Sequence, residues 1–394
     1  MVSGRRSLGW GLVNRTRRIP STAPTAASRS ANSGRARRSP ADAHALSPEL
    51  RADAEAARRF AQAARSDATL RAYRSDWADF SAWCDERGLR AMPATPETVS
   101  LYIASRAEAG PLADGRPSPP LKVATLSRRL AAISQAHKLA GAPSPALRSR
   151  EPLHSVWAGV VRTLGTAREK VAPALAADVV AMAATCDEAV RIAEAFPDEA
   201  KPGAALRARR DKAMLLMGFA AALRRSELAA VRTEHLGFTP DGLRLLIPRS
   251  KSDQEGAGQV VGVAYGSRAE TCPVRAVRSY LAAASRELAD QGRPSPLSGP
   301  VFRSVDRWGR LGHAAITGRT VANVVKAHAE AAGLDPSLYA GHSLRAGFAT
   351  TAARAGKPDR AIQKQTRHKS AAMLAEYVRE GRLFDENASE GIGL

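Results

Sequence analysis

Hydrophobic positions recur at three- and four-residue steps along most of this chain, the period of an amphipathic helix. Leu70, Tyr73, Trp77, Phe80 and Cys84 define the first helix, with Asp67 as N-cap and Gly88 as stop. Pro96 opens a second, whose apolar positions are Val99, Tyr102 and Ile103. A Pro/Gly-rich loop, Gly110 to Pro120, separates it from a third helix through Leu126, Leu130, Ile133 and His137. After a loop from Gly141 to Pro152, a fourth carries Leu153, Val156, Trp157, Val160, Val161 and Leu164. Four such helices predict a small bundle with Trp77, Trp83 and Trp157 in its core.

A charged linker closed by Pro173 leads to a second region that is mostly helical. Helices are predicted at Cys272–Leu288, Thr317–Ala332, Ser343–Ala355, Pro358–Thr366 and Ala371–Arg379. Leu243–Pro248 and Gln259–Val263 break this pattern as short β-type runs. The polar, glycine-rich loop Arg249–Gly258 joins them into a hairpin. The domains are therefore expected at residues 66–165 and 174–382, with a linker at 166–173 and a tail at 383–394.

Composition changes this picture in two ways. Residues 1–65 are expected to be a disordered basic segment, because residues 1–48, rich in Arg, Ser, Ala and Pro and without periodicity, cannot bury a core. An arm along DNA, a targeting segment and an over-long start are its three readings. The net charge is +21, and the nine arginines of residues 1–48, set against Asp42, supply only eight of it. A surplus of thirteen elsewhere points to a polyanionic partner. The longest apolar run, Ala213–Leu223, is too short to span a bilayer, which predicts a soluble protein. Three scattered cysteines suit a reducing cytoplasm. There is no P-loop, dinucleotide fingerprint or HExxH pattern, and no cofactor or metal is called for.

The candidate chemistry lies in the C-terminal half. His342 and Arg345, three apart on a helical stretch, project from nearly the same face. Arg224 ends an apolar helix, with Glu227 one turn on to orient it. Lys251 sits in the hairpin loop, His368 precedes the last helix, and Tyr377 follows nine residues later. Singly, each residue has an ordinary explanation: a cap, a solvated cation, a half-buried aromatic.

In order, Ala-Leu-Arg-Arg-Ser-Glu-Leu, a hairpin lysine, Tyr-Ala-Gly-His-Ser-Leu-Arg-Ala-Gly-Phe-Ala-Thr, a late histidine and a tyrosine resemble the tyrosine recombinase (phage integrase) family, most of all its Cre-like members. The resemblance spans residues 66–394. It implies a mainly α fold with a small β-sheet: an N-terminal four-helix SAM-like core-binding bundle and a C-terminal catalytic domain, closing as a clamp on duplex DNA. It also implies cleavage and religation through a covalent 3′-phosphotyrosine, by a homotetramer on two DNA sites, without metal or ATP. Arg224 and Arg345 would clamp the non-bridging oxygens. His342 would act as base, with His368 as a further donor. Lys251 would protonate the leaving 5′-oxygen and Tyr377 would attack. Expected phosphate contacts are Arg71, Arg74, Arg128, Arg129 and Lys138 in the bundle and Arg249, Arg319, Lys326 and Lys364 beyond it. Thr317, Arg319 and Asn323 form a candidate base-reading set. The tail, with Leu383, Phe384, Ile392 and Leu394, is expected to dock on a neighbouring protomer. Arg367 departs from the family, which often has Leu-Gly before this histidine. The rival readings are a non-cleaving DNA-binding regulator, a type IB topoisomerase-like enzyme and a helical protein without a DNA role.

Overall fold

A computed structural model describes residues 66–108, 110–111, 117–166, 171–248, 258–368 and 370–381, together with a few positions between 50 and 59. The expectations for residues 1–49, for Arg249 and Lys251, and for the tail 383–394 lie outside the described residues. The chain divides into two compact units, Met1–Arg168 and Glu169–Leu394. Among the described residues no helix is long and apolar enough to cross a membrane.

Among the described residues of the first unit, beyond helical positions between 50 and 59, four helices form a bundle: α1 (Asp67–Asp85), α2 (Pro96–Ala107), α3 (Val123–Leu139) and α4 (Leu153–Leu164). Ser66, not Asp67, caps α1, its hydroxyl accepting from the Thr69 N–H at 3.3 Å. Thr95 caps α2, with Pro96 in the first turn, where its missing N–H costs nothing. Phe80, Trp83, Cys84, Tyr102, Ile103, Leu126, Leu130, Ile133 and Leu153 fill the core, and Trp77 and Trp157 pack partly buried against it. In the loop before α3, β1 (Gly110–Pro111) pairs with β2 (Pro117–Ser118).

In the second unit α5 (Ala176–Ala195), α6 (Ala204–Ala220) and α8 (Pro273–Asp290) pack side by side. The apolar run predicted from sequence falls at the end of α6, where Ala213, Met214, Leu215, Leu216 and Met217 are all buried. A helix apolar on every side belongs at the centre of its domain. The five-residue α7 (Arg225–Ala229) follows a sharp turn in which Ala222 adopts φ +48°. The expected hairpin is the larger part of a three-stranded antiparallel sheet: β3 (Leu236–Thr239), β4 (Gly242–Ile247) and β5 (Gln259–Ala264). Leu243 pairs with Val263 and Leu245 with Val261, and all four face the core, while Leu246 and Val260 point outward. A second hairpin, absent from the sequence reading, joins β6 (Arg303–Val305) to β7 (Leu311–Ala315). The chain ends in α9 (Gly318–Ala331), α10 (Ser343–Arg354), α11 (Asp359–Thr366) and α12 (Ala371–Gly381). The last three share a small core of Ala349, Ala353, Ile362, Leu374 and Val378.

Candidate active site

Four pieces of the second unit meet at one place: the turn between α6 and α7, the start of α10, the α11–α12 connection and α12. Arg224 is the N-cap residue of α7, in extended conformation. The Glu227 carboxylate accepts its backbone N–H at 3.0 Å and its Nη1 at 2.6 Å. This is the pair expected from the three-residue spacing. Burial works to raise the Glu227 pKa, but the Arg224 backbone N–H, Arg367 and the Arg224 side chain together hold it below the usual carboxylate value.

Arg345 is 1% exposed, the largest fully buried side chain of the described residues. Its Nη1 donates to the Ala222 carbonyl at 2.8 Å, and its Nη2 has no hydrogen-bond partner among the described residues. Burial, then the charges of Arg224 and Arg367, pull this guanidinium down to about 9. It remains cationic at neutral pH. A buried cation with an unsatisfied donor, beside two further arginines and the Glu227 carboxylate, makes this the most electrostatically strained group of the cluster.

His342 occupies the N-cap position of α10 and its Nε2 lies 3.0 Å from the Tyr377 hydroxyl. His342 is exposed overall. Desolvation by the protein around it, then Arg345, Arg224 and Arg225, hold its pKa below the ordinary 6.5. His368 is buried and stacks on the Tyr377 ring, with centroids 5.8 Å apart and planes inclined by 12°. Its pKa is pushed down to about 4 by burial and by Arg345, Arg224, His342 and Arg367. The Thr366 hydroxyl donates to the Ile362 carbonyl at 2.8 Å, so its oxygen accepts from His368 Nδ1, 2.9 Å away. That assignment places the proton on Nδ1 and a lone pair on Nε2. His368 therefore donates through Nε2 only when protonated, a state that an arriving phosphate favours.

Arg367 belongs to this site although its spacing gave no such signal. The feature that could have revealed it was its departure from a family glycine. Its guanidinium is buried and donates from Nη2 to Glu227 at 2.8 Å and to the Ala222 carbonyl at 3.2 Å, and from Nη1 to the Ala221 carbonyl at 3.1 Å. A depression of about 560 Å³ opens beside Arg367 and His368, edged by Gln259, Val260, Arg360, Gln363 and Lys364.

The expected DNA contacts divide. Arg71, Arg74 and Lys138 are exposed on the bundle, and Arg319, Asn323, Lys326 and Lys364 are exposed on the second unit. Arg128, also exposed, and Arg129 make ion pairs within the bundle. Arg128 makes a two-pronged ion pair with Asp76, at 2.8 and 3.0 Å, and Arg129 pairs with Asp79 beneath Tyr102. Asp76 is buried on α1, while the side chain of Arg128 that it holds stays 48% exposed. Thr317 is likewise engaged, its hydroxyl capping α9 by accepting from the Thr320 N–H at 3.2 Å.

Comparison with known proteins matches residues 185–382 to the phage integrase family. An integrase/recombinase XerD homolog from Selenomonas ruminantium is 36% identical over 333 residues, covering 84% of this chain and 87% of that protein. A tyrosine recombinase XerD from Bifidobacterium longum is 27% identical over 313 residues, with 79% and 86% covered. Among solved structures, the Tn1549 transposon integrase in complex with transposon right-end DNA is 13% identical, with 82% and 92% covered and a TM-score of 0.49.

Proposed function

Given that the chain belongs to the phage integrase family and is a site-specific recombinase that cleaves and rejoins DNA, we propose that Tyr377 is the nucleophile with which it opens a DNA strand. The observation that carries this reading is the 3.0 Å contact between His342 Nε2 and the Tyr377 hydroxyl, beside the buried guanidinium of Arg345.

Duplex DNA lays a scissile phosphodiester among Arg224, Arg345, His342 and His368. The two guanidiniums take the non-bridging oxygens, on which negative charge grows as the phosphorus becomes five-coordinate. Tyr377 has a reference pKa of about 10, so its proton must leave as the oxygen attacks. His342, neutral at physiological pH, receives it at Nε2. The new bond joins the tyrosine oxygen to phosphorus. The bond to the 5′-oxygen breaks, and that oxygen takes a proton, the role we assign to Lys251. The phosphotyrosine ester conserves the energy of the phosphodiester, so the reverse attack by a 5′-hydroxyl rejoins the strands without ATP and with no step assigned to a metal. Strand exchange needs two sites held together, and we assign it to a homo-oligomer, a tetramer on two duplexes, in the cytoplasm. The bundle of residues 66–165 serves as a DNA-binding domain beside the catalytic domain of residues 174–382.

The test is covalent capture from a pool of nicked suicide duplexes of randomised sequence. The native chain forms a detergent-resistant adduct and Tyr377→Phe forms none. An adduct that persists in Tyr377→Phe would overturn the nucleophile assignment. Binding of the pool by the native chain with no adduct would favour a regulator built on the same scaffold.

A further inference from the structure

Arg367 has a backbone that suits glycine. It closes α11 with φ +57° and ψ +41°, in the left-handed region. An arginine there is strained, and such strain persists where surrounding interactions over-determine it. Its side chain supplies them. α6 ends with the carbonyls of Ala220, Ala221 and Ala222 pointing out of the helix without helical partners, at the negative end of the helix dipole. Gln365 Nε2 donates to Ala220 at 2.7 Å, Arg367 Nη1 to Ala221 at 3.1 Å, and Arg367 Nη2 and Arg345 Nη1 to Ala222 at 3.2 and 2.8 Å. All three carbonyls are thus capped from the later chain. Gln365 also donates to the Gly262 carbonyl of β5, the strand that follows the loop containing Lys251.

The same guanidinium reaches Glu227, whose carboxylate then serves two arginines: Oε1 takes Arg224 Nη1, and Oε2 takes the Arg224 backbone N–H and Arg367 Nη2. Both Nη atoms of Arg367 are therefore occupied, and its Nε is sealed from solvent. All four Nη hydrogens are committed, because Nη1 also donates to the Gln365 carbonyl at 3.0 Å, and only the buried Nε–H is without an acceptor among the described residues.

We propose that Arg367 is a positioning residue: it locks the turn that presents Arg224 to the segment that presents His368 and Tyr377. Arginine suits the task because its rigid fork spans a carboxylate and two carbonyls at once, which an ammonium cannot do. The inference rests on the reading of Tyr377 as nucleophile.

Its two parts, backbone and guanidinium, are separable. Arg367→Gly relieves the left-handed backbone and deletes the guanidinium. Adduct formation is followed in a single turnover on the duplex captured by the native chain, and affinity is measured for each variant in a Tyr377→Phe background. Arg367→Gly is expected to lower the rate at saturating duplex by about 100-fold, the scale of loss when reacting groups are displaced by an ångström. Its affinity for the duplex stays at the native level. Arg367→Lys, which keeps the charge and loses the fork, recovers part of the rate. In a Glu227→Gln background the loss from Arg367→Gly is smaller, because the shared acceptor is already weakened. A native rate in Arg367→Gly, or rate and affinity lost together, overturns the proposal. Should Arg367→Gly fail to fold, a native rate in Arg367→Lys overturns it equally. If the native chain captures no duplex at all, the nucleophile assignment falls, and this inference with it.

Discussion

His342 and His368 are both held neutral at physiological pH, and this fixes the direction in which acid acts on the site. A base must be unprotonated to accept the Tyr377 proton, and the His342 pKa lies below 6.5. Adduct formation should therefore decline with acid at a lower pH than an ordinary histidine base would give. His342→Gln should lower the plateau by about 100-fold or more, the usual contribution of a positioned base, and remove this acid limb. A single-turnover pH series on both proteins checks it. His368 adds an effect on stability. Its folded pKa is about 4 against an ordinary 6.5, so between these values the unfolded chain binds more protons. The contribution is fully present above 6.5 and is lost as pH falls towards 4. Urea midpoints measured across that window should drop more in the native protein than in His368→Asn. At this scale the sequence was legible where residue type carries the chemistry. His342, Arg345, Arg224 and Tyr377 were singled out because phosphoryl transfer would need such groups in a recognisable order, and the structure brings them to one place. Arg367 was not, because nothing in a sequence says that an arginine will take a glycine's conformation in order to bond a helix end.

Helices were legible and short strands less so, for a reason visible in their burial. The long helices alternate buried and exposed faces, and their period survives in the sequence. β3 has only four residues, and its side chains are exposed or partly buried with no strict two-residue alternation. β6 is three residues long, opens on the buried Arg303 and is shifted in register against β7, so no alternating run forms. The packing of α10 rests on a residue that the motif displays without explaining. Gly347 faces the segment 172–174, which is tied to the same region by the Ala172 N–H on the Leu338 carbonyl, at 2.7 Å, and the Ala174 N–H on the Ser343 carbonyl, at 3.0 Å. A Cβ at Gly347 would sit 1.6 Å from the Ala174 carbonyl oxygen. That oxygen belongs to backbone, so no rotamer change can relieve the clash. Gly347→Ala should cost about 1–3 kcal/mol of stability, the range for overpacking. Because α10 carries Arg345 and begins at His342, the rate of adduct formation should fall as well. Equilibrium unfolding in urea, with single-turnover kinetics on the folded fraction, measures both.

At the scale of the whole chain, charge separates affinity from chemistry. Residues 1–48 hold nine arginines against Asp42, and the rest of the chain keeps a net charge of +13 out of the +21 of the whole. The groups assigned to the reaction all lie beyond this segment. If the segment runs along DNA as an arm, its arginines neutralise phosphates and release counterions, so each contact contributes about 0.9 to the slope of log affinity against log salt. Deleting residues 1–48 should then weaken binding most at low salt and make that slope shallower. The two proteins should converge as salt rises, because the arm's contribution is the part that salt removes. The single-turnover rate at saturating duplex should not change, since the deletion removes none of the groups assigned to the reaction. Filter binding of the captured duplex between about 50 and 200 mM salt, paired with that rate, decides between the readings of the segment. An unaltered slope would show that its charge does not meet DNA and that the basic residues elsewhere, with their net charge of +13, carry the electrostatic attraction. A reduced rate at saturation would show instead that the segment reaches the catalytic groups, since loss of a peripheral phosphate contact changes how often DNA is bound and not how fast bound DNA reacts.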